Sequence, residues 1–314
     1  MNGETQTHAP VLVEELLDAL VTGEGGTYVD CTFGRGGHAA AVLRRAGPRA
    51  RVLGLDRDPE AVRAGRELAA TQPGLSVVHA RFSRLASVVQ DSAVTPDGIY
   101  FDLGVSSPQL DRAQRGFSFL RDGPLDMRMD PGAGESAAQW LAHATASEIE
   151  GVLREYGEER YARRIARAIV LARRDAPLET TFALAEVVTR AMPAAARHAE
   201  PGQHPTTRCF QAIRMQVNDE RRELSSGLQQ ALEVLQVGGR LVVISFHSGE
   251  DRIVKRFLRD ASRPPMPSRH APVPANLPPP RLTGVSKLIS AGAQELARNP
   301  RARSARLRHA QKCR

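Results

Sequence analysis

The chain is poor in cysteine: Cys31, Cys209 and Cys313 are odd in number, far apart and in no C-x-x-C pair. That spacing excludes a disulfide framework and a cysteine-based zinc site. No stretch reaches the ~20 uninterrupted apolar residues of a membrane helix. The opening MNGETQTHAP lacks the basic and apolar regions of a secretory signal. The expected location is therefore the cytoplasm, with no membrane partner. Histidines at 198, 204, 247 and 270 show neither H-x-x-x-H nor H-x-E spacing, so no metal is expected. Asp126 and Asp130 in PLDMRMD sit in an arginine-containing loop, where local salt bridges and turns account for them better than a magnesium pair. Trp140, in an Ala/Leu-rich helix, reads as core.

Positive charge is what the chain has in excess. Its 314 residues carry a formal net charge of +8, within an otherwise ordinary composition of 41% hydrophobic and 25% charged residues. Such a surplus suits a polyanionic partner, because Lys and Arg beside phosphates release condensed counterions. Distribution says more than the total. Arg298, Arg301, Arg303, Arg306, Arg308, Lys312 and Arg314 follow one another with no intervening acid, which favours nucleic-acid contact over a merely solvated tail.

The length fits one large α/β domain, or a main domain with a smaller insertion. PVLVEELLDALV (10 to 21) spaces its apolar residues as an amphipathic helix does. Strands are then expected at 26 to 32, 50 to 56, 75 to 82 and 97 to 104, alternating with helices. One of these helices is begun by Asp58 as N-cap with Pro59 in its first turn. This is the pattern of βαβ units and a parallel sheet covered on both faces. After Pro108 the alternation stops. A Gly/Asp/Arg-rich loop (111 to 135) leads into consecutive helices to about residue 200, one with an S-x-x-E capping box at Ser147 to Glu150. The α/β pattern resumes with a long helix from about Thr206 to Leu235, a strand at 240 to 246 and a helix capped around Ser248 to Asp251. The proline-rich run 264 to 280 forbids a helix. The final SARLRHA alternates as an edge strand would, one face on the core and the other toward a phosphate backbone.

The chemistry begins at VDCTFGRGGH (29 to 38). Gly34 to Ala39 satisfies the relaxed fingerprint G-x-G-x-x-G/A, and Asp56 stands about 20 residues further on, where a ribose-binding acid would sit. Glycines here let backbone N–H groups approach a ligand, which serves a dinucleotide pyrophosphate or the carboxylate and adenosine of S-adenosylmethionine equally. The later stretch DGIYFDLGVSSPQL discriminates between them. It puts Asp102 at the end of the fourth strand, ahead of a small polar turn and Pro108, a placement used to hold an exocyclic amino group beside a methyl donor. No His/Asp or Tyr/Lys pair suited to hydride transfer stands out, so S-adenosylmethionine is the better fit.

Ten segments then carry a resemblance. Among them are HAPVLVEELLDAL (8 to 20), YVDCTFGRGGH (28 to 38), GLDRDPEA (54 to 61), DLGVSSPQLD (102 to 111), RGFSFLRDGPLDMRMD (115 to 130), HPTTRCFQAIRMQVNDE (204 to 220), ISFHSGEDRIVKRF (244 to 257) and NPRARSARLR (299 to 308). With these the chain resembles the RsmH (MraW) family of bacterial methyltransferases, which act on N4 of a cytidine, position 1402, in the decoding region of 16S ribosomal RNA. The resemblance implies a class I, Rossmann-like S-adenosylmethionine-dependent methyltransferase sheet with an inserted all-helical domain. The methyltransferase parts would be 1–112 and 206–314, and the RNA-recognition insertion 113–205. It implies cofactor contacts at Gly36, Gly37, His38, Asp56, Phe82, Asp102 and Gln109, and 16S rRNA of the small ribosomal subunit as partner to a monomer or homodimer. Phe82 could lie against the adenine face, and Gln109 has donors and acceptors for a polar edge.

Asp102 is then either the acceptor for the N4 hydrogens or a cofactor contact only. Arg301, Arg303, Arg306 and Arg308 are the candidates for the RNA backbone. Where the family has leucine within FHSLED this chain has Gly249, which bears on the packing of the loop carrying His247. The competing readings are an NAD-dependent dehydrogenase, from the glycine loop, and a non-enzymatic RNA-binding protein, from the charge.

Overall fold

A computed structural model describes residues 10–194, 206–263 and 279–313. Nearly all of the proline-rich run, with His198, His204 and His270, lies outside them. The chain divides into two compact units, Met1–Gly104 with Arg221–Arg314, and Val105–Glu220.

The first unit is built on a seven-stranded sheet. Its strands are β1 (Thr27–Asp30), β2 (Arg51–Asp56), β3 (Leu75–His79), β4 (Gly98–Asp102), β5 (Arg240–Ser245), β6 (Leu282–Thr283) and β7 (Arg306–Lys312), in the order β3-β2-β1-β4-β5-β7-β6. β1 to β5 are mutually parallel, whereas β7 runs antiparallel to both β5 and β6. This is the class I methyltransferase arrangement, and its strand order reverses between β1 and β4, where ligands of open α/β sheets bind.

The strands read as nearly continuous apolar runs because both faces are covered. In β4, Tyr100 belongs to the core on one face while Ile99 and Phe101 belong to the core on the other, the two-residue period of a strand. The first core also takes in Leu12, Leu16 and Leu20 around α1 (Val13–Leu20) and residues of α2 (Gly37–Ala46) and α3 (Pro59–Ala69). The second takes in α4 (Leu85–Asp91) and the later helices α11 (Glu220–Val234) and α12 (Ser248–Ala261). Asp58 caps α3 as expected, accepting from the Glu60 N–H at 2.9 Å with Pro59 in the first turn.

The second unit is helical: α5 (Ser107–Asp111), α6 (Ala137–His143), α7 (Ala146–Glu155), α8 (Ala162–Asp175), α9 (Thr181–Ala191) and α10 (Thr207–Val217). Its core gathers Trp140, Ile149, Ile165, Leu184, Phe210 and Ile213. Arg128 clasps Asp126 through two nitrogens at 2.9 and 2.7 Å, which fills that acid's coordination with a local ion pair.

Three expected elements come out differently. The long helix from Thr206 is two helices, because the buried Asn218 amide donates to the Met127 carbonyl at 2.7 Å and Asp219 turns left-handed at φ 50°. The capping box of α7 is Thr145 with Glu148, two residues before the expected pair. β7 is not an edge strand. It lies between β5 and β6, and the bridge from Ile289 to Leu307 covers more of its outer side.

That placement internalises one of the terminal arginines. Arg308 donates from Nε to Asp251 Oδ1 at 2.7 Å and from a second nitrogen to Oδ2 at 3.3 Å, both side chains being mostly buried. Removing one partner of such a pair strands the other charge. Arg308→Met should therefore lower unfolding free energy by about 3 kcal/mol in urea titrations, while Arg303→Ala on the exposed 3-10 segment Pro300–Ser304 should change it by less than about 0.5 kcal/mol.

Candidate cofactor and catalytic site

Three adjacent parallel strands end in an aspartate: Asp30 on β1, Asp56 on β2 and Asp102 on β4. The glycine loop donates amides to the first two carboxylates and takes the backbone N–H of the third on the Thr32 hydroxyl. Gly34 N–H donates to Asp56 Oδ2 at 2.7 Å, and Asp58 N–H to Oδ1 at 2.8 Å. Thr32 N–H donates to Asp30 Oδ1 at 3.1 Å, while the Thr32 hydroxyl accepts from the Asp102 N–H at 2.6 Å. The loop thus ties together three strands.

The glycines answer to the protein before any ligand. Gly36 has φ 76°, and a Cβ there would stand 2.6 Å from the Phe33 ring and 2.9 Å from Leu68. At Gly37 a Cβ would meet Pro10 at 2.9 Å. Close internal packing, as well as open access for backbone N–H groups, explains the pair.

His38 follows at the start of α2, buried to 6% exposure. Nε2 lies 2.8 Å from the Val11 carbonyl, and Nδ1 lies 3.5 Å from Asp102 Oδ2. Its ring is thus directed at the N-terminal segment and at Asp102. β3 stops at His79, short of the expected end at 82, so Phe82 opens a short 3-10 turn instead of closing the strand. Its ring meets Phe101 edge-on at 5.5 Å and closes on Gly227, leaving it half-buried. Gln109 belongs to the other compact unit, where its side-chain oxygen accepts from Ser106 N–H at 2.9 Å in the capping box of α5.

Asp30 escaped the sequence reading, although an acid closing a strand just ahead of a glycine loop was the available signal. Glu250 escaped it too. Its Oε2 accepts from the Phe246 N–H at 2.9 Å, its own N–H donates to His247 Nδ1 at 3.3 Å, and Oε1 lies 3.2 Å from His247 Nε2. A Cβ at Gly249 would stand 3.0 Å from that Nδ1, so the glycine gives the imidazole room to cap α12.

Burial dominates the electrostatics. It pushes Asp102 up to about 7, with the Glu250 charge adding to the effect. Asp30 is also raised to about 7 by burial, against the opposing pull of His38 and the Thr32 amide. Asp56 is raised by burial to about 6 despite its amide donors. Burial lowers His38. Asp102 Oδ1 is buried with no hydrogen-bond partner, as are the Tyr100 hydroxyl and His247 Nε2, although buried carboxylate oxygens ordinarily have one. A partnerless acceptor at the switch point, a glycine loop and a strand-end acid with lone pairs to spare fit an adenosyl cofactor with an amino group beside it.

The MraW methylase family matches residues 5–313. The chain belongs to this family. Ribosomal RNA small subunit methyltransferase H of Azoarcus sp. (strain BH72) is 53% identical over 308 residues, covering 98% of this chain and 97% of that protein. The protein of the same name from Nitrosococcus oceani is 51% identical over 314 residues, covering 99% and 98%. Among the described residues no helix is long and apolar enough to cross a membrane.

The family site carries a cost that varies with pH. Because folding raises the Asp102 carboxyl to about 7, its contribution is intact at low pH and is lost as pH rises through that value and the buried group ionises. Asp102→Asn, which cannot ionise, should match the wild type in thermal unfolding only below about pH 4, the gap opening as pH rises from there to about 7. At pH 8.5 it should unfold about 2–4 °C higher, read by differential scanning calorimetry.

Proposed function

We propose that the protein transfers a methyl group from S-adenosylmethionine to N4 of a cytidine in the decoding region of 16S rRNA, position 1402. The observation that carries the reading is the buried, partnerless Oδ1 of Asp102 at the end of β4. Relatives at about half identity named as ribosomal RNA small subunit methyltransferases support the substrate class.

The cytosine amino lone pair is delocalised into the ring, so N4 is a poor nucleophile until its geometry is fixed. Oδ1 of Asp102 accepts an N4–H hydrogen bond and turns the lone pair toward the methyl group, a gain of orientation that can contribute several kcal/mol. S-adenosylmethionine supplies an electrophilic methyl on a positively charged sulfur. Asp102 Oδ1 would take the proton that N4 gives up as it gains the methyl group, the donor leaving as a neutral thioether. A carboxyl raised to about 7 is a better proton acceptor than an ordinary aspartate. Asp56, with amides on both oxygens, is assigned the ribose diol, Phe82 the adenine face, the backbone of Gly36, Gly37 and His38 the methionine end, and Gln109 a polar edge of the cofactor.

The target base is reached in single-stranded RNA or flipped from its stack. We assign methyl transfer to 1–112 and 206–314 and RNA recognition to the helical span 113–205, in small-subunit rRNA. Arg301, Arg303 and Arg306 are assigned to the phosphate backbone. Arg308, engaged with Asp251, contributes by fixing β7.

Tritiated S-adenosylmethionine incubated with 30S subunits, followed by nucleoside analysis, should yield N4-methylcytidine; NAD binding without label transfer, or RNA retention alone, would sink the reading. Asp102→Asn should keep cofactor affinity and lose about 100-fold in single-turnover rate. Neutralising Arg301, Arg303 and Arg306 should weaken RNA binding and flatten its salt slope by about 0.9 per lost phosphate contact.

A further inference from the structure

We propose that His38 is a positioning residue for Asp102: the imidazole, anchored on the Val11 carbonyl, shares one proton with the carboxyl group and holds its second oxygen free for the amino group being methylated. The proposal rests on the reading of Asp102 as the N4–H acceptor.

The argument starts from donors and acceptors. A carbonyl can only accept, so His38 Nε2, 2.8 Å from the Val11 oxygen, carries a proton. In the neutral ring Nδ1 is then a bare lone pair, and it faces Asp102 Oδ2 at 3.5 Å. Two lone pairs pointed at one another in a buried site repel unless one proton lies between them. The surroundings favour keeping that proton. Burial raises Asp102, with Glu250 on α12 adding to it, while burial lowers His38 against the upward pull of the Val11 carbonyl, Asp30 on β1 and Glu295 on α13 (Ala293–Arg298), so the one proton stays on the pair and toward the carboxyl. Tyr100 on β4 turns its ring toward the imidazole at 6.3 Å between centroids. The anchor is itself built at a cost. Leu12, fully buried, adopts φ 53°, a left-handed conformation unusual for a bulky residue, and its N–H donates to Glu295 Oε1 at 2.7 Å. Strain of this kind persists where the surroundings over-determine it, and it clusters at working sites. Here it sits beside the carbonyl that fixes the ring.

With one proton on the pair, Oδ2 is committed to His38 and Oδ1 stays open. During transfer the N4–H bond breaks and its proton goes to Oδ1, so the pair then holds two protons and releases one to solvent before the next turnover.

Nitrogen-15 spectra of histidine-labelled protein without cofactor or RNA test the pair directly. The His38 signal, assigned by its loss in His38→Asn, should show Nε2 protonated and an Nδ1 titration whose midpoint falls in Asp102→Asn. An unmoved midpoint overturns the shared proton; should His38→Asn fold poorly, His38→Gln serves for the assignment. In single turnovers at saturating cofactor, His38→Asn should keep cofactor affinity within about 3-fold and lose at least about 10-fold in rate. The rising limb of its pH profile should move to higher pH, since Asp102 must ionise without a neighbouring imidazolium. A collapse of affinity with the rate and limb preserved would make His38 a cofactor contact only and overturn the proposal. Wild-type rates in Asp102→Asn would overturn the acceptor reading itself, an outcome separate from any His38 result.

Discussion

The carboxyl edge of the sheet depends on the way one short loop satisfies buried acids. Asp30, Asp56 and Asp102 close three neighbouring parallel strands, and like charges brought together out of water would drive the strand ends apart. The loop from Cys31 to Gly37 counters this with amides on two of the carboxylates, Gly34 on Asp56 and Thr32 on Asp30, while the Thr32 oxygen accepts the Asp102 backbone N–H and fixes the end of β4. The glycines allow the loop to bend tightly against Phe33, Leu68 and Pro10. Asp102 Oδ1 remains without a hydrogen-bond partner, as do the Tyr100 hydroxyl on the same strand and His247 Nε2.

Much of this was legible in the sequence. The alternation of short apolar strands with helices gave the parallel sheet, Asp58-Pro59 gave a helix start, and the acids at 56 and 102 were recognisable from their places at strand ends. Other features were not, for physical reasons. The break at Asn218 depends on a buried amide reaching the Met127 carbonyl, a contact between residues distant in sequence. The position of β7 inside the sheet depends on residues 282–289 folding along its far side. An alternating strand reads the same whether one edge or both are covered. His38 presents a ring whose partners, Val11 and Asp102, come from segments that no spacing rule connects.

The basic C-terminal stretch illustrates how charge in a sequence separates into different duties. Arg308 is tied to Asp251, and Arg306 approaches the same acid at 3.5 Å while staying partly exposed. Arg303 is exposed on the turn before β7. A net charge counts all three alike, yet only charge that remains near water can trade condensed counterions for phosphates. The ion pair instead fastens β7 to α12.

The connectivity of the sheet has a kinetic consequence. β4 and β5 pair Asp102 with Ile244, so a central contact of the first unit must close over the whole helical unit. Loop-closure entropy grows only slowly with length, but pairings so remote in sequence are slow to find. A helical segment with its own core, dominated by contacts between successive helices, can collapse early and turn a long flexible spacer into a short compact one. A compact insertion leaves the half-sheet of β1 to β4 fewer conformations to search before it meets β5.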